Sequence, residues 1–386
     1  MKSPRAFKRS SAWLAAGLLL ALAGCNSIDK ADRPMPLKAV AGSLQPQRAW
    51  SASLGGAKPK LLLGLAPATD GQHVFAAGGK GTVLALDAAT GKQLWRRELK
   101  VALAGGPGTG GGLVLVGSAD GGLFALDAAS GKDRWNVRVN AEILSAPVVA
   151  GTVVVLRTVD GRLHGFNAAD GVQRWVTEQQ VPRLTLRGTS DPVAAGEFVL
   201  AGFDNGRLMA VTTGGGITAW DIALGQPHGS SELQRLIDID APPVVDADEV
   251  YAVSFQGRAA RLSLETGREI WGHEISSYRG LALGPISVYV STAEGDLVRL
   301  DRAGGGERWR QKLLAHRRLT APAVLGSSVV VGDNLGMLHW LDADSGDFQA
   351  RVKAGSPMSV APVVAAGLVI VQTDKGNVEA WRPAKR

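Results

Sequence analysis

A single cysteine, Cys25, stands among 386 residues, so no disulfide can close within the chain, and burial and sheet hydrogen bonds must hold the fold together. The six histidines, at 73, 164, 228, 273, 316 and 339, never show the H-x-x-x-H or H-E-x-x-H spacing that puts two imidazoles on one metal. His316 is followed by Arg317 and Arg318 and is expected at the surface. There is no G-x-S-x-G elbow, and glycine-rich 105–112 (GGPGTGGG) lacks the Lys-Ser/Thr of a phosphate cradle, so it is expected to be a mobile loop. These absences leave no residue to assign as catalytic, cofactor-binding or metal-binding, and the chain is expected not to be an enzyme. Charged residues are 20% and aromatics 5%, whereas glycine occurs 50 times, which suits many short strands and tight turns and leaves little room for helix.

Residues 1–24 are expected to be a secretory signal. Lys2, Arg5, Lys8 and Arg9 make a positive start, and the uncharged stretch 10–28 contains the apolar run 12–23. A stretch of that length could also just span a membrane. What separates the two readings is Leu22-Ala23-Gly24-Cys25, which resembles the bacterial lipobox, where cleavage precedes the cysteine and its thiol is acylated. Cys25 is thus the expected lipidation site, and 25–46, polar over 26–36, the expected flexible tether. In enterobacterial lipoproteins an Asp just after the acylated cysteine retains the protein at the inner membrane. Asn26 stands there in this chain, which implies the periplasmic face of the outer membrane. Removing the signal with its four cations lowers the net charge from +7 to +3, which argues against nucleic acid as a partner.

What is abundant is repetition. The stretch 81–95, GTVLALDAATGKQLW, recurs at 121–135, 161–175, 206–220, 257–271 and 295–309. A seventh copy at 336–350 ends in Ala350 instead of Trp, and an eighth starts at Gly376 and runs out of chain. The opening glycines lie 40, 40, 45, 51, 38, 41 and 40 residues apart, the period of a propeller blade. Counting each copy from its glycine as zero, +5 is always apolar and +2 apolar or small, so both strand faces are covered, as between two neighbouring blades. Asp or a short polar residue is usual at +6, and +10 is glycine in every complete copy, which predicts a hairpin loop. The Trp at +14 is expected to wedge between blades. An apolar strand precedes each zero glycine, and Pro147, Pro192, Pro243, Pro322 and Pro362 start further strands ahead of these. Each repeat is therefore expected to have four strands.

The eighth copy lacks its second half, and Trp50 is an orphan with no glycine before it. The expected fold is all-β: an eight-bladed propeller of four-stranded antiparallel blades over 47–386, closed by the N-terminal strand around Trp50, which would remove free sheet edges. Ala350 is expected to loosen one blade boundary. The distance from zero glycine to Trp is constant, so all length variation falls between blades, with the largest insertion at 220–257 directly after one of the next largest, at 175–206. Long loops on a rigid scaffold are where binding concentrates. Leu184, Leu186 and Arg187 lie in the first insertion, Asp238 and Asp240 in the second. Apolar anchors beside charges fit a protein interface, and they fit equally a loop that caps a blade gap with its leucines buried.

The lipobox, the repeats, L-T-L-R-G at 184–188, G-S-S-E-L-Q-R-L-I-D-I-D at 229–240 and L-L-A-H-R-R-L-T-A-P at 313–322 together resemble the BamB family, propeller lipoproteins of the β-barrel assembly (BAM) machinery. The resemblance covers essentially the whole chain after the signal. It implies a non-enzymatic scaffold that helps insert outer-membrane β-barrel proteins, with unfolded clients as further partners. It also implies that Leu184, Leu186, Arg187, Asp238 and Asp240 face the POTRA domains of the central barrel subunit, BamA. The blade motif alone is shared with quinoprotein dehydrogenases, but a resemblance to those would imply a vicinal cysteine pair, which one cysteine cannot supply. An envelope propeller with an unrelated partner is the other alternative.

Overall fold

In the computed structural model, residues 33–40, 42–56, 64–180, 182, 189–225 and 237–385 are described, and among them every regular element is a β-strand. The first blade shows how the repeat folds. Its strands are β2 (Ala68–Thr69), β3 (His73–Ala77), β4 (Thr82–Asp87) and β5 (Gln93–Glu98), paired antiparallel in sequence order. Apolar residues on both faces of β3 and β4 are buried, as expected for a sheet packed between two others. Six more four-stranded sheets follow in the same order, and neighbouring inner strands touch all the way round, from Ala68–Thr69 back to Val363–Ala365. Each proline named above immediately precedes an inner strand. The apolar core is accordingly not central. It is split into eight layers, each made by residues of two adjacent blades.

The tryptophans do more than wedge. The indole N–H of Trp95 donates to the carbonyl of Ala128 at 2.8 Å, and that of Trp135 to Ala168 at 2.8 Å. Trp50, Trp175, Trp220, Trp271 and Trp309 make the same bond to Ala88, Thr213, Leu264, Arg302 and Ala343. The acceptor is always position +7 of the next copy, in the hairpin loop. The +10 glycine of that loop lies against the indole face: a Cβ on Gly91 would stand 2.5 Å from Trp50 Cγ, and one on Gly131 2.7 Å from Trp95 Cδ2. Position +10 therefore needs glycine twice over, for its left-handed φ (71° at Gly91) and for the ring above it.

The last blade closes as the orphan Trp50 requires. Strand β1 (Gln47–Ser53) pairs antiparallel with Asn377–Arg382, completing the sheet of Val363–Ala365 and Leu368–Gln372. Trp50 sits opposite Ala380 just beyond a bulge, as Trp95 sits opposite Ala85. Ahead of β1, 33–40 and 42–46 lie against the sixth to eighth blades, with Met35 N–H bonded to Ala315 O at 3.0 Å, Leu44 N–H to Gln349 O at 3.2 Å and Gln45 N–H to Ala384 O at 2.7 Å.

Two expectations need correction. The glycine-rich 105–112 is not a mobile loop. Leu103–Gly110 is the inner strand of the second blade and is largely buried, and its glycines admit the neighbouring backbone: a Cβ on Gly108 would meet Pro147 O at 1.7 Å, and one on Gly105 would meet Ser145 O at 2.3 Å. The Ala350 boundary is not loose either. Trp340 stands opposite Ala350 in the strand pair, an inversion of the Ala85–Trp95 arrangement, and is fully buried with Met358 and Trp381. The bulk has changed strand, and the layer stays filled.

Candidate functional site

In an antiparallel meander the connections from each outer strand to the next inner strand all emerge at one end of the ring, together with the turns that carry the zero glycines. The hairpins with the +10 glycines emerge at the other. The connections after the third and fourth blades, the latter the longest of all, thus share one loop face. Leu184, Leu186 and Arg187 lie outside the described residues, as does Cys25.

Asp238 and Asp240 can be followed. The I-D-I-D run drives Ile237 and Ile239, both buried, into the boundary between the fourth and fifth blades. Glycines make room there: a Cβ on Gly206 would fall 2.1 Å from Ile237 Cγ2, and one on Gly202 2.3 Å from Ile239 Cγ2. Ile239 N–H donates to Phe203 O at 3.2 Å, and Phe255 N–H to Asp238 O at 2.8 Å. This fixes the run as a cap across the boundary, so Asp238 is only 2% exposed. The capping reading of the second insertion therefore holds for its described part.

Capping draws the carboxyls inward onto other charges. Arg157, at the end of a buried strand of the third blade, is fully buried, donates to Asp204 and lies 4.9 Å over the Phe203 ring. Asp191 accepts the N–H of Ala146 at 2.6 Å. Burial pushes the Asp191 carboxyl up to about 7 against the pull of that N–H and of Arg157. Asp238 is also raised, by burial first and then by the carboxylates of Asp240 and Asp204. Asp240 is raised by burial and by Asp204, while Arg157, a hydrogen bond with the Asp238 carboxyl and Arg279 pull it back. Oδ1 of Asp238 and Oδ1 of Asp240 are buried without a hydrogen-bond partner. Four carboxyls thus gather around one buried guanidinium, with Arg279 a further cation acting on Asp240, and both signs keep unpaired atoms, since Arg157 Nε and Nη1 are buried without a partner as well.

Arg157, Asp191 and Asp204 were not singled out from the sequence. Asp191 and Arg157 are single departures from the repeat, S-D-P at 190–192 where the preceding copy has S-A-P and an arginine ending a strand that is otherwise apolar, whereas Asp204 has a counterpart in Asp374 and gives no such signal. Among the described residues no group of His, Cys, Asp and Glu is arranged to hold a metal ion.

The sequence profile of the family described as "Outer membrane protein assembly factor BamB" matches residues 40–105, 79–311 and 293–384. An assembly factor of that description from Pseudomonas aeruginosa is 46% identical over 374 residues, covering 96% of this chain and 98% of the relative. The crystal structure of BamB from Moraxella catarrhalis superposes with a TM-score of 0.80 at 28% identity, over 88% of this chain and 100% of that one. A quinohemoprotein alcohol dehydrogenase from Comamonas testosteroni shares the propeller at TM-score 0.69 and 15% identity, over 87% of this chain and 76% of its own. At that identity the likeness is one of fold alone.

Proposed function

Because the chain belongs to the BamB family of outer membrane protein assembly factors, we propose that it is a non-enzymatic scaffold of outer-membrane protein assembly, tethered through acylated Cys25 to the periplasmic face of the outer membrane. In this reading residues 1–24 are the signal, 25–46 the tether, whose part from Met35 on is bonded to the blades, and 47–386 the propeller that docks on the POTRA domains of BamA. The docking surface is the loop face over the third to fifth blades, with Leu184, Leu186 and Arg187 as the contacting segment. Asp238 and Asp240 act from behind it, and the observation that carries this role is their pair of orphan carboxyl oxygens beside a single buried arginine. A hydrogen-bond donor brought by the partner satisfies those oxygens. Unfolded β-barrel clients are the further partners on this reading, met by strand pairing at the exposed outer strands.

The test is co-purification of the Leu186→Ala/Arg187→Ala chain with BamA from solubilised membranes. Lost or strongly reduced association in a variant with unchanged circular dichroism is expected. Undiminished association sinks the assignment of the face. A quinoprotein-like activity is the competing class, and a rise in melting temperature on adding pyrroloquinoline quinone with calcium would favour it.

A further inference from the structure

The third stretch behind the family resemblance, 313–322, has no part in the docking surface just described. It connects the sixth blade to the seventh on the loop face. Leu314 and Leu319 are buried and pin it down. Between them His316 and Arg318 hold left-handed backbone at φ 60° and 47°, a conformation that non-glycine residues adopt only under local constraint. The consequence is alternation: Arg317 turns inward, and His316 and Arg318 stay exposed. Arg317 Nε donates to the buried carboxylate of Asp333 at 2.6 Å, and its Nη1 to the Met35 carbonyl at 3.1 Å. The same carboxylate takes His339 Nε2 at 2.9 Å, and Arg351, bonded to His339 Nδ1 at 3.2 Å, donates to the Lys38 carbonyl. This buried relay clamps the chain that comes from Cys25 onto the seventh blade.

The clamp gathers the exposed apolar side chains of this corner. Met35, Leu313 and Leu335 are 37%, 40% and 51% exposed. Met35 N–H is bonded to Ala315, two residues from Leu313, and the N–H of Asn334, next to Leu335, is bonded to Arg317 O at 3.2 Å. Around them stand the exposed cations Arg33, Lys38, Lys312 and Arg318; the exposed carboxylates among the described residues here are Glu294, whose carbonyl accepts the His316 N–H, and Glu307, which is paired with Arg310 and also faces Lys312. Apolar tips within a basic rim are the composition of a surface that lies in the headgroup region of a bilayer. Its position agrees: ten residues separate Cys25 from Met35, a reach of at most about 35 Å when extended.

We propose that this corner of the sixth and seventh blades contacts the bilayer, with Met35, Leu313 and Leu335 entering the headgroup boundary and Lys38, Lys312 and Arg318 pairing with anionic headgroups. The short tether then sets the propeller down in one orientation, with the third blade on the far side of the ring. This rests on Cys25 as the anchor, but the patch is tested without acyl chains. The signal-free chain carrying Cys25→Ser is partitioned onto vesicles of phosphatidylethanolamine with phosphatidylglycerol, and onto phosphatidylcholine alone. Partition onto the anionic vesicles that weakens with added salt is expected. Lys312→Glu/Arg318→Glu should lower it at least about tenfold, and Leu313→Ser/Leu335→Ser by about tenfold. Arg134→Glu/Arg174→Glu, on the second and third blades, should leave it unchanged. No partition, or equal losses in all three variants, overturns the proposal, and partition that neither patch variant weakens leaves the corner to a protein partner. The mass of membrane-extracted wild-type protein reports acylation independently, so the anchor and the patch can fail separately.

Discussion

Replacing Trp50 by phenylalanine and by alanine separates the two jobs assigned to the repeated indole at the one place where it also closes the ring. Its N–H donates to Ala88 O at 3.0 Å in a buried setting, and its ring covers Gly91, where a Cβ would sit 2.5 Å from Cγ. Trp50→Phe keeps most of the apolar contact and leaves the Ala88 carbonyl without its donor, a loss of about 1–3 kcal/mol. Trp50→Ala also removes the ring over Gly91 and should lose about 3–5 kcal/mol in all. Both are read as shifts of the urea midpoint at constant slope. Trp309 is the internal control, because it is less buried and its bond to Ala343 is longer, at 3.3 Å. Trp309→Phe should lose about 1 kcal/mol or less. Hydrogen exchange should further show β1 and its partner strand Asn377–Arg382 opening in Trp50→Ala before the other blades do. If Trp50→Phe proves neutral, or as costly as Trp50→Ala, the indole N–H is not a separate clamp. If Trp309→Phe is the worse of the two phenylalanine variants, bond length and burial do not rank these sites.

The remaining expectations concern glycines and one carboxyl. Gly131→Ala carries both a left-handed φ of 69° and a Cβ 2.7 Å from the Trp95 ring, whereas Gly151→Ala has φ 57° and no heavy atom within 4 Å. Thermal melts should therefore show about 1–2 kcal/mol lost at Gly151 from backbone alone and clearly more at Gly131; equal losses would remove the ring contact from the account. Gly108→Ala puts a Cβ 1.7 Å from Pro147 O, so soluble yield should collapse, and a variant as stable as wild type would return 105–112 to a loop. For Asp191 the carboxyl is raised to about 7 by burial, so the neutral form is favoured by folding. That contribution is fully present below the unfolded value near 4 and is lost as pH rises to about 7, at up to about 1.4 kcal/mol per pH unit. Asp191→Asn keeps an acceptor for the Ala146 N–H and should gain on wild type across that window and run parallel above it. A gap that widens toward acid instead would mean that the carboxylate is stabilised in the fold.

The fold was legible because a propeller writes each blade separately. Position +5 in all eight copies, the +10 glycine in seven and the +14 tryptophan in six carry the same physical demand each time, so the eight-bladed ring and its closure through Trp50 could be read without any long-range information. The seventh boundary was misread because Ala350 was judged alone. Its partner across the strands, Trp340, is visible in the sequence, but only the register says that the two face each other. The glycine-rich 105–112 was misread because composition cannot distinguish a loop from a strand whose neighbours come too close for side chains. The carboxyl cluster was half visible. Asp238 and Asp240 stand in a D-x-D run and drew notice, while Arg157 and Asp191 are single departures from the repeat and Asp204 recurs as Asp374, and only the structure brings them to one place.

The closing blade also accounts for the missing tryptophan. A tryptophan at +14 works by reaching the +7 carbonyl and the +10 glycine of the next hairpin, and for position 350 that hairpin would belong to the eighth copy. The eighth copy has no hairpin, because its outer strand is β1, supplied by the other end of the chain. A tryptophan at 350 would have neither acceptor nor glycine beneath it, and moving the bulk to Trp340 fills the layer without them. The same argument explains where the N-terminal segment can lie. With no hairpin there, the outer edge of the seventh blade is open to Leu44 and Lys38, which bond to Gln349 and Arg351 on its outer strand. Closing the ring with the N-terminus and fixing the path of the chain that leads back to Cys25 are thus one structural decision. It follows that Trp340→Ala/Ala350→Trp should not restore the stability lost in Trp340→Ala, although total side-chain volume is conserved. A full rescue in urea unfolding would show that packing alone, without the hairpin, decides where the tryptophan stands.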